Sequence, residues 1–167
     1  MNVSRIGSLL VCQREFGITN LPTIRTVGFN TCAIVVFINR KAGIGALAHF
    51  DINTDIRASL QEVILPSLRQ ADTEFSVKII CRHLSKLPQT IQTELIKNGI
   101  RKVKVFLAQG FRKGLAAKTL TGKLLEDKAV MTPQELSKLE DSLRHIMSGN
   151  RLIRDVSLIS PNPPPPS

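Results

Sequence analysis

Apolar residues in the first third of the chain form two short runs joined by a turn. The segment TCAIVVFIN (31–39) is rich in β-branched residues, which is typical of a buried strand. RKAG (40–43) has the composition of a turn, and IGALAHFDI (44–52) then predicts the return strand of a hairpin. Because the glycine and the alanines of the second run have small side chains, we expect another backbone or a substrate to approach this strand closely.

Two stretches that follow have helical spacing. Asn53 or Thr54 is expected to cap the first helix, and Pro66 should bend it or shorten its last turn. The apolar stripe of this helix consists of Ile56, Leu60, Val63, Ile64 and Leu68. A second helix is predicted within LPQTIQTELIKNGI (87–100), and Asn98-Gly99 is a natural stop for it.

The clearest helix start in the chain is the segment Thr132-Pro133-Gln134-Glu135. It combines an N-cap residue, a proline at the first helical position and a capping box. The helix should end at Gly149. Its predicted inward face consists of Leu136, Leu139, Leu143 and Ile146.

Three more strands are predicted at residues 75–82, 102–108 and 151–159, whereas residues 110–130 have no clear pattern. The order of these elements predicts a mixed α/β (α+β) domain of layered type over residues 1–160. The proline-rich tail (161–167) cannot join a sheet, so we expect it to extend into solvent without a fixed structure.

The formal net charge of +10 is compatible with an acidic partner or surface, although a solvated basic surface is the more common explanation of such a charge. The chain contains no tyrosine or tryptophan, which argues against a platform for stacking nucleic acid bases. Its cysteines (Cys12, Cys32 and Cys81) are odd in number and lack CxxC spacing, which indicates a reducing compartment. No segment has the length of a membrane span, so a cytoplasmic location is expected.

Cys32 and His49 lie on opposite arms of the predicted hairpin. Cys32 stands where a loop enters a strand, so its thiol can lie near backbone N–H groups that stabilise an oxyanion. The turn at residues 40–43 returns the chain towards residues 31–35 and can place His49 near Cys32. An imidazole there would lower the pKa of the thiol and carry the protons that acyl transfer requires.

The residues around this pair resemble the chemoreceptor glutamine deamidase (CheD-like) family. The signature of that family is T-x-G-x-G-S-C, an apolar strand, a turn and G-G-x-x-H, and this chain has TVGFNTC (26–32) and GALAH (45–49). The resemblance implies that Cys32 is the nucleophile, His49 the general base and acid, and Thr26 the residue that supports the histidine. It also implies a layered αββα sandwich with mixed or antiparallel sheets, and no cofactor or metal.

Three positions depart from the family pattern. Asn30 and Thr31 replace a Gly-Ser pair, and Ala46 replaces a glycine. Asn30, Thr31 and Gly28 form the predicted oxyanion and substrate-binding segment, in which the Asn30 side chain either narrows the approach to the thiol or donates an additional hydrogen bond.

The resemblance implies a reaction that converts a protein glutamine to glutamate with release of ammonia. Lethal-factor-type deamidase toxins share the same active-site plan. The expected substrate is therefore a chemoreceptor or, if the chain is a bacterial effector, a host protein.

Other interpretations stay open at this point. A binding module would keep the deamidase scaffold without turnover and hold an acidic protein or a nucleic acid on its basic surface. A cysteine peptidase would share the nucleophile and base, although no papain-type sequence surrounds the cysteine. Cys81 and His83 are too few ligands to predict a metal site. Asp51 points the same way as His49 in the predicted strand and is able to orient the imidazole, but a surface carboxylate is the expected role. His145 is expected to be a solvated side chain.

Overall fold

The computed structural model describes residues 7–28, 31–70, 74–108, 110–111, 113–127 and 130–165. Its strands are β1 (Ser8–Val11), β2 (Glu15–Thr19), β3 (Thr23–Val27), β4 (Ala33–Asn39), β5 (Ile44–Phe50), β6 (Ser76–Cys81), β7 (Val103–Leu107), β8 (Gly114–Lys118), β9 (Leu124–Glu126) and β10 (Arg154–Asp155). Its α-helices are α1 (Ile56–Ser59), α2 (Leu65–Gln70), α3 (Lys86–Lys97) and α4 (Pro133–Met147).

The strands form two sheets. One sheet has four strands in the order β1-β3-β8-β9, and the other has six in the order β10-β2-β5-β4-β6-β7. Both sheets contain parallel and antiparallel pairs. The predicted hairpin is confirmed, because β4 and β5 pair antiparallel with Ala33 opposite Phe50 and Asn39 opposite Ile44.

The two faces of β4 show how the layers stack. Val35 and Phe37 belong to a cluster that also contains Leu60, which lies between α1 and α2. Ile34, on the opposite face, packs in a second cluster with Ile24 of β3. The six-stranded sheet therefore lies between α1–α3 and the four-stranded sheet.

Helix α4 lies against the other face of the four-stranded sheet. Its Glu135 pairs with Arg25 of β3, and the Ser142 hydroxyl donates to the carbonyl of Gln13. The layers thus follow the order αββα, and the predicted fold class is confirmed.

The first helical segment differs in detail from the prediction. Its N-cap is Asp55, which accepts a hydrogen bond from the backbone of Ala58. Thr54 is not the cap, because its hydroxyl donates to Asp51 instead. The helix continues through Pro66 to Gln70, and the irregularity is a π-helical turn at Leu60–Ile64. This turn lies just before the proline, whose missing N–H interrupts the regular helical pattern.

The prediction for the inward face of α4 is only partly confirmed, because Leu139 and Ile146 are half-buried but the other two residues are not. Leu136 and Leu143 are both 48% exposed, and the buried residues of the helix are Glu135 and Ser142. The physical reason is Arg25, a buried cation on the outer face of the four-stranded sheet that brings Glu135 against the sheet. The predicted capping box of Thr132 and Glu135 is present.

Several segments without a clear sequence pattern are strands. Residues 8–19 supply β1 and β2, and residues 110–130 supply β8 and β9. The strand predicted at 151–159 is reduced to β10 and an isolated bridge between Thr19 and Leu158. Within the described ranges, no helix has the length and apolar character that a membrane span requires.

Candidate active site

A hydrogen bond between Thr26 and His49 joins the two sheets. Thr26 lies in β3 on the same face as Ile24, and His49 lies in β5 on the same face as Leu47, so both face the layer between the sheets. The distance from Thr26 Oγ1 to His49 Nδ1 is 2.7 Å, and both residues are fully buried. The structure therefore brings together two of the three residues predicted to be catalytic.

Cys32 lies on the same face of the sheet as His49. It directly precedes β4, and strand alternation places it on the side of Ile34, which is paired with His49. By this register Cys32 is a diagonal neighbour of His49. Diagonal neighbours on paired strands lie about 7–8 Å apart, which is the separation expected for these two residues. Cys32 is 6% exposed, so its thiol lies just beneath the surface.

Burial keeps both groups neutral. It raises the pKa of the Cys32 thiol to about 11, and the charge of Asp51 raises it further whereas Arg14 lowers it. Burial also lowers the pKa of His49 to about 4. A thiol and an unprotonated imidazole are consequently the resting forms at neutral pH, and the imidazole is able to accept a proton.

The second ring nitrogen of His49 is available for chemistry. His49 Nε2 is buried and has no hydrogen-bond partner among the described residues. If Nδ1 carries the ring proton and donates it to Thr26, Nε2 presents its lone pair. The site therefore combines an oriented base with a thiol on the same sheet face.

Asp51 is not the surface carboxylate that the sequence predicted. It is 4% exposed and forms an ion pair with Arg14, whose Nη2 lies 2.8 Å from its Oδ2. Gln13 and Thr54 also donate to this carboxylate. Burial would raise the pKa of Asp51, but these hydrogen bonds and the charge of Arg14 hold it below its usual value.

Arg14 is the residue of this region that sequence reasoning missed. It lies between β1 and β2, adopts a left-handed backbone (φ 57°) and donates its N–H to the carbonyl of His49. Its guanidinium also donates to the carbonyl of Asn150. A non-glycine residue at positive φ is uncommon, but this signal appears only in the structure.

The predicted oxyanion segment is only partly described. Gly28 directly follows β3 and has a φ of +77°, a conformation that favours glycine, and Thr31 is exposed. Asn30 lies outside the described residues. The roles assigned to Gly28, Asn30 and Thr31 stay predictions.

The other singled-out residues lie apart from this site or have structural partners. His83 is exposed, whereas Cys81 is buried with its thiol 3.7 Å from the carbonyl of Phe106. His145 is half-buried rather than solvated, and its Nε2 lies 3.0 Å from the carbonyl of Leu152. No group of three or more metal-ligating side chains is found in the described part of the chain.

Comparison with known proteins indicates the family of this chain. No curated protein matches the chain. A model of the protein N-terminal asparagine amidohydrolase family matches residues 1–106, more than half of the 167 residues and the part that contains Thr26, Cys32 and His49. The chain therefore belongs to the protein N-terminal asparagine amidohydrolase family, a family of protein deamidases.

Proposed function

We propose that this protein hydrolyses the side-chain carboxamide of an N-terminal asparagine in a protein, with Cys32 as the nucleophile and His49 as the base. The observation that carries the proposal is the bond between Thr26 and His49, which leaves His49 Nε2 free on the sheet face that Cys32 shares. The name of the matching family supports asparagine at a protein N-terminus as the substrate.

In the first half of the reaction, the Cys32 thiol gives its proton to His49 Nε2 as its sulfur attacks the carboxamide carbon. Backbone N–H groups around Cys32 stabilise the oxyanion of the tetrahedral intermediate. The protonated His49 then donates to the leaving nitrogen, so ammonia departs and a thioester remains.

In the second half, His49 removes a proton from water, which attacks the thioester. The carbon–sulfur bond breaks, the side chain is released as a carboxylic acid and Cys32 recovers its proton. Thr26 acts as a positioning residue, because its oxygen accepts a hydrogen bond from Nδ1–H and so keeps Nε2 unprotonated in the resting enzyme.

The test uses short peptides and measures both ammonia release and the mass change from amide to acid. A peptide with N-terminal asparagine should be deamidated by the wild type, whereas Cys32→Ala should lose more than about 10³-fold of that activity. Cys81→Ala is the matched control, because Cys81 is also a buried free cysteine, and it should retain activity. Full activity in Cys32→Ala would overturn the mechanism.

The second candidate substrate is a protein glutamine. The spacing of Thr26, Cys32 and His49 is that of the CheD-like signature, which supports this alternative and with it a chemoreceptor or host protein as the substrate. A peptide with an internal glutamine and one with an N-acetylated asparagine separate the two. Deamidation of internal glutamine without reaction at N-terminal asparagine would replace the first proposal with the second.

The non-enzymatic alternative is a binding module for an acidic protein. The substitutions Asn30-Thr31 and Ala46 relative to the CheD-like signature support it. Absence of ammonia release from all three peptides, together with salt-dependent binding that Cys32→Ala leaves unchanged, would favour this function. The free cysteines support a reducing, cytoplasmic setting for either function.

A further inference from the structure

A cavity of about 590 Å³ lies at the end of the six-stranded sheet that is opposite Cys32. Strand β4 begins next to Cys32 and ends at Asn39, whose side chain donates to the carbonyl of Glu74 in the cavity wall. A strand rises about 3.3 Å per residue, so the seven residues of β4 separate the cavity from Cys32 by about 20 Å. The cavity is thus distinct from the candidate active site.

The lining of this cavity combines apolar and cationic groups. Leu65 and Leu68 form buried parts of the wall, and Phe75 and Ile100 are half-buried. The charged lining residues are Arg69, Arg101, Lys102 and Glu74, all exposed. Cations therefore outnumber carboxylates three to one.

The three cations of the lining form no ion pair with any other residue that the structure describes. No hydrogen bond or ion pair joins the side chain of Arg69, Arg101 or Lys102 to another described residue. Arg57, by contrast, is an exposed arginine that pairs with Glu94 nearby on α3. The unpaired cations around the cavity are available to an anion from outside.

We propose that this cavity docks an acidic segment of a partner protein that also carries a large apolar side chain. Guanidinium groups match carboxylates in bidentate geometry, so Arg69 and Arg101 suit aspartate and glutamate. The partly exposed surfaces of Phe75 and Ile100 suit the apolar side chain. A simple phosphate ligand would use the cations but leave this apolar wall uncovered.

The overall charge of the chain favours the same partner. A net charge of +10 attracts acidic proteins to the surface of this chain. The cavity adds specificity, because its cations and its apolar wall together select a segment that carries both acidic and apolar side chains. The proposal does not rest on the deamidase chemistry, because none of its residues belongs to the candidate active site.

The experiment measures binding of a fluorescein-labelled peptide, in which aspartates and glutamates flank one phenylalanine, to the full chain by fluorescence anisotropy. We expect saturable binding that weakens about tenfold or more when the phenylalanine is replaced by serine, or the acids by their amides. The variant Arg69→Glu/Arg101→Glu should show a loss of the same size, about tenfold or more. Lys86→Glu is the matched control, an exposed charge reversal at the other end of α3, and should change binding by less than about twofold.

Three results would overturn the proposal. They are equal binding by wild type and the Arg69→Glu/Arg101→Glu variant, equal binding of the phenylalanine and serine peptides, or no saturable binding at all. Inorganic triphosphate that binds the cavity more tightly than the peptide would assign the site to a small anion instead. Both substituted arginines are exposed, so the variant should fold normally, and a circular dichroism spectrum checks this. Its activity on a short uncharged peptide should equal that of the wild type, so failure here and failure of the proposed reaction are distinguishable.

Discussion

Thr26 Oγ1 and His49 Nδ1 lie 2.7 Å apart although the two residues belong to different sheets. Strand β3, which carries Thr26, pairs with β1 and β8. Strand β5, which carries His49, pairs with β2 and β4. The orientation of the imidazole therefore depends on how the sheets stack, and not only on the hairpin that carries His49.

Substitution of Thr26 tests its positioning role. Thr26→Val keeps the shape of the side chain but removes the oxygen, so His49 loses the partner that holds its tautomer. We expect kcat to fall about 10- to 100-fold with little change in KM, since general-base catalysis contributes about 10²–10⁴-fold in total. Thr26→Ser restores the oxygen and should recover most of the rate. Equal activity in Thr26→Val and wild type would show that this hydrogen bond is only structural.

The pH dependence of stability reports the burial of His49. Its pKa falls from 6.5 to about 4 on folding, so in acid the unfolded chain binds a proton that the folded chain does not. Stability should therefore decrease as the pH falls from about 6.5 to about 4, by about 3 kcal/mol at most.

Urea unfolding of wild type and His49→Gln at several pH values in this window measures the effect. The comparison of the two proteins isolates the contribution of residue 49, because the rest of the sequence is the same in both. Identical pH profiles for the two proteins would mean that His49 is not protected from protonation.

Alkylation of the cysteines tests whether the free protein contains a preformed thiolate. Because burial raises the pKa of Cys32 to about 11 and that of Cys12 to about 12, both thiols should react slowly at neutral pH. The rate for Cys32 should rise about tenfold per pH unit and level off only near its pKa of about 11. Mass spectrometry of alkylated peptides follows each cysteine separately. Rapid reaction of Cys32 near pH 6 that His49→Ala abolishes would reveal a thiolate–imidazolium pair instead.

The buried cation under α4 should be important for stability. Arg25 is 2% exposed and pairs with Asp127 and Glu135, so Arg25→Met removes one buried ion pair from each of these two carboxylates. We expect a loss of about 3–5 kcal/mol in the free energy of unfolding, measured with urea. Arg144→Ala is the control, because Arg144 is exposed and its carboxylate partners lie 3.9 Å away. It should change stability by less than about 0.5 kcal/mol, and a similar small change in Arg25→Met would contradict the prediction.

Local patterns predicted the central elements well. The β-branched run at 31–39 and the turn at 40–43 specify a hairpin through contacts between near neighbours in sequence, and the structure has it. The stop at Asn98-Gly99 and the capping box at Thr132 are likewise local, because each depends on backbone groups within one helical turn. Fold class followed from the order of such elements.

Non-local contacts explain the errors. The apolar stripe of α4 predicted a buried Leu136 and Leu143, but a helix pattern contains no information about the sheet beneath it, where Arg25 requires a carboxylate. Asp51 looked like a surface residue because its partner Arg14 is 37 residues away in the chain. Strand β8 had no clear pattern and is defined by its pairing with β3.

The sequence by itself identified Cys32 and His49 as the candidate nucleophile and base and predicted that they lie on the two arms of one hairpin, since both inferences follow from residue type and a short loop. Only the tertiary structure decided that Thr26 reaches His49 across two sheets and that burial keeps the thiol and the imidazole neutral. The physical reason is that hydrogen bonds between sheets and the desolvation of charges depend on packing, which brings together residues far apart in the chain.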